Sequence, residues 1–199
     1  MESVSEEHSM PEAGQGGEQL TVETETELLK RVKDGDALAM REMYDRYSGS
    51  AMAVALRYVG NRDDACDVLQ DSFVKVFTRI REFVPRGEGA LKAWVLRITA
   101  NEALNFLRKS GPVSVTDDLP DVADEEPDVM AVPAEVLNAM IARLPTGYRV
   151  VLNLFVFEGL QHKEIAARLG IKENSSASQY HHAKRMLAKM ISDYSKHNT

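Results

Sequence analysis

HKEIAARLGIKENSSASQYHHAKRMLAKM, residues 162–190, decides how this chain folds. Ile165, Ala166 and Leu169 recur at the spacing of one helical face, and Gly170 then stops the helix with a residue free to turn. Ala177, Tyr180, Ala183, Leu187 and Met190 resume the three-and-four spacing on a second helix. Helix, glycine turn, helix is the pattern of a helix-turn-helix. The outer face of the second helix carries Asn174, Ser175, Ser178, His181, His182, Arg185 and Lys189, side chains that can pair with phosphates or read base edges. The same shape also occurs in purely structural bundles, so it predicts a local fold and leaves its use open.

A second stretch, RGEGALKAWVLRITANEALNFLRKS at residues 86–110, extends the helical reading. A helix from Leu91 places Trp94, Arg97, Asn101, Asn105 and Arg108 on one polar stripe, a composition suited to phosphates, base edges or an unstacked base. Trp94 lies beside Leu91, Val95 and Ile98 and favours a core position over a stacking one. Upstream, helices are expected near 25–34, 37–47, 50–59 and 63–83. The DGD at 34–36 ends one helix and caps the next, and GNRDD makes a similar break at Gly60. On the 63–83 helix Cys66, Leu69, Phe73, Val76, Phe77 and Ile80 form the expected core face. Asp64, Asp67, Gln70 and Asp71 lie on the other side. The helix N-terminus accounts for Asp63 and Asp64, but not for Asp71 two turns on, so a protein partner is expected there. Further helices are expected near 134–144, 148–157, 162–169 and 173–192. With no period-two alternation between turn signals, the fold class is all-α.

The chain has 199 residues and a net charge of −7, unevenly spread. Residues 1–27 carry −8 and residues 111–133 carry −7, neither with a Lys or Arg, while 28–110 and 134–199 each carry +4. The four prolines and seven acids of GPVSVTDDLPDVADEEPDVMAVP at 111–133 break helices and favour an extended linker. The expected organisation is a disordered acidic tail at 1–24, a helical domain at 25–110, an acidic flexible linker at 111–133, a second helical domain at 134–192 and a short tail at 193–199. No apolar run reaches the ~18 residues of a membrane span, and the acidic start is unlike a signal peptide, so a cytoplasmic location is expected. The lone Cys66 has no disulfide partner, and its helical position points to burial.

Read in order, DDACDVLQDSFVKVFTRIREF, RGEGALKAWVLRITANEALNFLRK and, after the linker, IARLPTGYRVVLNLFVFEGLQHKEIAARLGI closely resemble the extracytoplasmic-function (ECF) sigma factors of bacterial RNA polymerase. The resemblance implies two sigma domains, domain 2 and domain 4. It implies that Asp67, Gln70 and Asp71 dock the β′ clamp of core polymerase. It also implies that the loop at 84–90, with Phe83, Arg86, Gly87, Glu88 and Gly89, takes up a flipped base of the minus-ten element. Trp94, Arg97, Asn101, Asn105 and Arg108 then lie along the promoter at the melting fork. The helix-turn-helix set reads the minus-thirty-five element as duplex. Core polymerase and promoter DNA are the implied partners, with an anti-sigma factor as a further candidate.

Some positions depart from the family pattern. The 83–89 connection is longer than usual by two residues, Lys172 and Gln161 stand where helix-capping serines are usual, and Ala177 stands where many members carry Lys. An enzyme is disfavoured. His8, His162, His181, His182 and His197 form no HExxH, there is no phosphate-binding Gly-Lys loop and no nucleophile elbow, and no cofactor, metal or small-molecule substrate is implied. Glu158 and His162 have i,i+4 spacing, but Gly159 intervenes at an expected break. The rival reading is a helix-turn-helix regulator that binds duplex DNA without polymerase.

Overall fold

The computed structural model describes residues 24–109, 111 and 132–197, and among these it is helical with no strand. The readings made for the acidic tail and for nearly all of the linker lie outside the described residues. Among the described residues eight α-helices follow in order: α1 Glu25–Lys33, α2 Ala37–Val59, α3 Arg62–Arg79, α4 Ala90–Lys109, α5 Ala134–Ala142, α6 Thr146–Leu152, α7 His162–Leu169 and α8 Glu173–His197. No helix among the described residues is long and apolar enough to cross a membrane.

Local chemistry sets the starts. Thr24 and Glu27 form a reciprocal capping box on α1, the carboxylate accepting from the Thr24 N–H at 3.0 Å and the hydroxyl from the Glu27 N–H at 3.3 Å. Gly35 turns the chain at φ 88°. Asp36 then caps α2, one oxygen accepting from Leu38 N–H at 2.9 Å and the other from Arg31 Nε at 2.8 Å.

Two expected elements fuse. The helices expected at 37–47 and 50–59 are one helix of 23 residues. Ser48, Gly49 and Ser50 read locally as a break, but Tyr47 and Ala51 on either side are both buried on the same face. Their burial outweighs the roughly 1 kcal/mol that an internal glycine costs. Gly49 is exposed, and nothing lies within 4 Å of where a Cβ would stand. Gly49→Ala should therefore raise the unfolding free energy by about 0.5–1 kcal/mol in a denaturant titration. No gain would mean that residues 48–50 do not form a helix in solution.

The long third helix is also shorter than expected, ending at Arg79 in a 3-10 turn over Ile80–Glu82. Of its expected core face, Leu69, Phe73, Val76 and Ile80 are buried, and the face extends toward Ala65, Val68 and Ser72. Cys66 and Phe77 are only half-buried. The helix expected over 148–157 starts earlier, at Thr146, and widens into a π turn over Asn153–Phe157. There the Asn153 side-chain amide donates to the Arg149 carbonyl at 2.7 Å, and the Glu158 N–H skips back to Asn153 at 3.2 Å.

Helices α1 to α4 enclose one apolar core of Leu28, Leu29, Val32, Met43, Phe73, Ile80, Leu91 and Val95. Ile141, Leu144, Tyr148, Leu152 and Ala183 make another among α5, α6 and α8. A third belongs to both halves of the chain: Val54, Ala55, Tyr58, Val68, Ala100 and Leu104 meet Val150, Val151, Leu154 and Ile165. The halves pack directly on each other.

Candidate nucleic-acid and polymerase interfaces

The outer side of α3 presents Asp67, Gln70 and Asp71, all exposed, with Val74 next along the same face at 63 % exposure. An apolar side chain ringed by carboxylates suits a protein partner with basic groups around a small pocket. Below it the chain turns through Ile80–Glu82 into the glycine-rich loop. Phe83 is buried and its ring lies 4.8 Å from that of Trp94, tilted by 31°. Lys33 Nζ donates to the Phe83 carbonyl at 2.7 Å and pins the loop's start. Val84 follows, 71 % exposed, and Arg86 and Glu88 are exposed beside Gly87 and Gly89. Those glycines take φ 109° and 73°, which lets bare backbone project from the surface.

On α4 the expected stripe divides. Arg97 is exposed, and Trp94 is half-buried against the first core, as its apolar neighbours led us to expect. Asn105 donates to Glu102 Oε1 at 3.3 Å, and Glu102 pairs with Lys75 at 2.6 Å. Asn101 and Arg108 instead meet the second half of the chain. The Asn101 carbonyl oxygen accepts from Arg168 Nη2, and Arg108 Nη2 donates to the Arg168 carbonyl at 2.5 Å.

The helix-turn-helix is formed by α7, a left-handed Gly170 at φ 70° and α8. Glu164 accepts from the Gln161 backbone N–H at 2.8 Å, so half of the capping box persists without a serine. The buried side of α8 is rotated from the expected stripe: Ser176, Gln179, Ala183 and Ile191 are buried. Ala177 is exposed, and Tyr180, Leu187 and Met190 are half-buried. Ser176 lies inside because its hydroxyl meets His162 Nδ1 at 3.0 Å, while the His162 ring stacks on Phe155 at 4.6 Å. His162 thus ties α7 to α8. Asn174, Ser178, His181 and Lys189 are exposed, as expected. Ser175, His182 and Arg185 are half-buried, with His182 stacked on Tyr148 at 5.6 Å.

The two helical halves correspond to matches along the sequence. Residues 43–112 match the family model described as Sigma-70 region 2, and residues 134–187 match Sigma-70, region 4. The ECF RNA polymerase sigma-E factor of Haemophilus influenzae is 30% identical over 183 residues, covering 84% of this chain and 95% of that protein. The chain belongs to the ECF sigma factors. SigE of Mycolicibacterium smegmatis, another ECF RNA polymerase sigma factor, is 29% identical over 81% of this chain and 66% of its own length. Among solved structures, that of CnrH in complex with the cytosolic domain of CnrY is 25% identical, with a TM-score of 0.43 over 83% of this chain and 96% of that one. As a sigma factor, the protein is a transcription-initiation protein with the all-α, two-domain architecture read from its sequence.

Residues outside every expected set join the two halves of this sigma factor. Arg149, 6 % exposed, spends its guanidinium on backbone carbonyls, and burial holds its pKa below the usual arginine value. Arg57 lies over the Phe157 ring at 4.0 Å and donates to Asn153 Oδ1 at 3.2 Å. No local pattern marks these residues, since their partners lie far away in sequence. The one signal in the chain is the polar Asn153 within the apolar run RVVLNLFVF.

Proposed function

We propose that this sigma factor binds core RNA polymerase, recognises specific promoters and helps to melt them, acting in the cytoplasm as a non-catalytic initiation subunit. The observation that carries the reading is the 30% identity to an ECF sigma-E factor along 95% of that relative's length. The exposure of Asp67, Gln70 and Asp71 on α3 supports a role for them on the β′ clamp. Residues 25–110 serve polymerase and the minus-ten element, 111–133 link, and 134–192 serve the minus-thirty-five element. Arg86, Gly87, Glu88 and Gly89 form the base-capturing loop above the Phe83–Trp94 pair. Arg97, Asn101, Asn105 and Arg108 hold the fork, and Asn174, Ser175, Ser178, His181, His182, Arg185 and Lys189 contact the upstream duplex. An anti-sigma factor is a further proposed partner. Run-off transcription with core polymerase on a genomic fragment library tests the reading. Specific starts support it, and duplex binding that is unaffected by core polymerase would favour a stand-alone regulator.

The charge distribution gives a second test. Residues 1–27 carry −8 and compete with phosphates for the basic faces of the two helical blocks. Removing residues 1–24 should raise non-specific duplex affinity several-fold at low salt and steepen its salt dependence. Equal affinity and equal slope for the truncated and full-length chains would make the segment electrostatically passive.

A further inference from the structure

Hydrophobicity alone would roll the start of α8 so that Ala177 and Tyr180 face inward, yet the helix buries Ser176 and Gln179, which are 0 % and 2 % exposed. Neighbouring residues on a helix point about 100° apart, so placing Ser176 inside instead of Ala177 changes the whole row turned outward. The row offered is Asn174, Ala177, Ser178 and His181, all exposed. By itself this roll is costly. A hydroxyl or an amide taken out of water needs a partner inside, and the Gln179 side-chain oxygen has none among the described residues. The force that holds the roll therefore comes from outside α8.

His162, the first residue of α7, supplies it. Its Nδ1 lies 3.0 Å from the Ser176 hydroxyl oxygen. Either tautomer satisfies that hydroxyl, which donates to a bare Nδ1 or accepts from an Nδ1–H. The imidazole is fixed in turn by its stack on Phe155, 4.6 Å away and tilted by only 17°. Phe155 belongs to the π turn after α6, and the Tyr180 ring closes on it at 4.4 Å. On another flank of α8, His182 stacks on Tyr148 of α6. Ring stacks accept a small change of angle, whereas the hydrogen bond selects which of two adjacent small residues lies inside.

We infer that His162 is a positioning residue for DNA recognition: by holding the Ser176 hydroxyl inside, it fixes the roll of α8 and so decides that Asn174, Ala177, Ser178 and His181 are offered to a duplex. The roll stands on contacts within the protein; its consequence for sequence preference rests on the proposed role of α8 at the upstream duplex. Losing His162 leaves Ser176 buried without a partner, which favours turning it out to water and Ala177 in. Losing both partners removes the penalty, because an apolar group at 176 can stay inside unpaired.

Two measurements on the full-length chain test this. In the free protein, Ala177→Cys in a Cys66→Ser background reports the roll through its rate of reaction with a maleimide. The thiol should react fast beside His162 and at least tenfold more slowly beside His162→Phe, which keeps a ring on Phe155 and cannot bond a hydroxyl. His162→Asn, whose amide puts a polar atom where Nδ1 stands, should keep the fast rate, and so should His162→Phe combined with Ser176→Ala. In the second measurement, holoenzymes without the cysteine select from a promoter library randomised over the upstream base pairs. The parent should enrich one sequence. His162→Phe should lose about tenfold in discrimination between that sequence and the library mean, and adding Ser176→Ala should recover most of it. An unchanged thiol rate in a His162→Phe chain of parental helicity would overturn the roll. A loss of affinity equal for every sequence, or losses from the two changes that simply add, would overturn the positioning role. Where His162→Phe loses helicity by circular dichroism, the His162→Asn and double variants decide, since a slow thiol in either, once folded, refutes the hydrogen bond as the holder. A parent that enriches no sequence, with thiol rates as expected, removes the reading of α8 at the duplex and leaves the roll standing.

Discussion

Reversing two charges on α3, Asp67→Arg with Asp71→Arg, should weaken binding to core polymerase by about a hundredfold or more while leaving the fold intact. The two carboxylates lie one turn apart on the same exposed face, with Gln70 beside them and Val74 continuing it. A basic partner surface that meets this face would then confront two like charges, a juxtaposition that costs several kcal/mol. The inward side of the helix, with Val68, Leu69, Ser72, Phe73 and Val76, is untouched, so each exposed change should alter stability by no more than about 0.5 kcal/mol. Titration of labelled core enzyme at two salt concentrations, with a thermal melt of the free variant, separates the effects. Undiminished affinity in a folded variant would remove α3 as the clamp-docking face. Val74→Ala should give a smaller loss with little salt dependence, since it deletes apolar area and no charge.

The helices were legible because their apolar residues repeat at three and four and because capping residues stand where chains must turn. Asp36 and Gly60 act at the positions their chemistry suggested. Where reading failed, a local signal met a stronger distant one. Ser48, Gly49 and Ser50 look like a turn, yet the continuous packing of Tyr47, Ala51, Val54 and Ala55 carries α2 straight through them. On α8 the small Ala177 was assigned inward by hydrophobicity, whereas the polar Ser176 and Gln179 are inside. Ser176 is accounted for by its bond to His162, an interaction between helices that no single-helix pattern contains. The closure of the two halves was illegible for the same reason on a larger scale. Arg149 counts in a charge tally as one more surface cation, and the Tyr58 and Val59 carbonyls that hold it are backbone groups about ninety residues away. Backbone acceptors leave no mark in a sequence.

The second large effect separates promoter opening from promoter binding. Arg97→Ala with Asn101→Ala should give holoenzyme that occupies promoters but leaves them largely closed, with permanganate-reactive thymines reduced at least tenfold. Asn174→Ala with Ser178→Ala, changes near the exposed start of α8, should weaken upstream duplex binding by roughly 1–3 kcal/mol for each side chain that reads a base. The closed arrangement makes the first variant more informative, because Asn101 is also the acceptor for Arg168. Deleting that amide loosens the junction between the halves and so exposes α4 more readily. If α4 only needed to be uncovered, the variant would open promoters better than the parent. If Arg97 and Asn101 themselves hold the unpaired strand and its phosphates, opening falls despite the easier access. The two roles therefore predict opposite signs in one footprint. A premelted bubble template should restore most of the transcription, since the unpairing energy is already supplied. Normal melting by the α4 variant, or full upstream affinity in the α8 variant, would show that the division of labour between these helices is wrong.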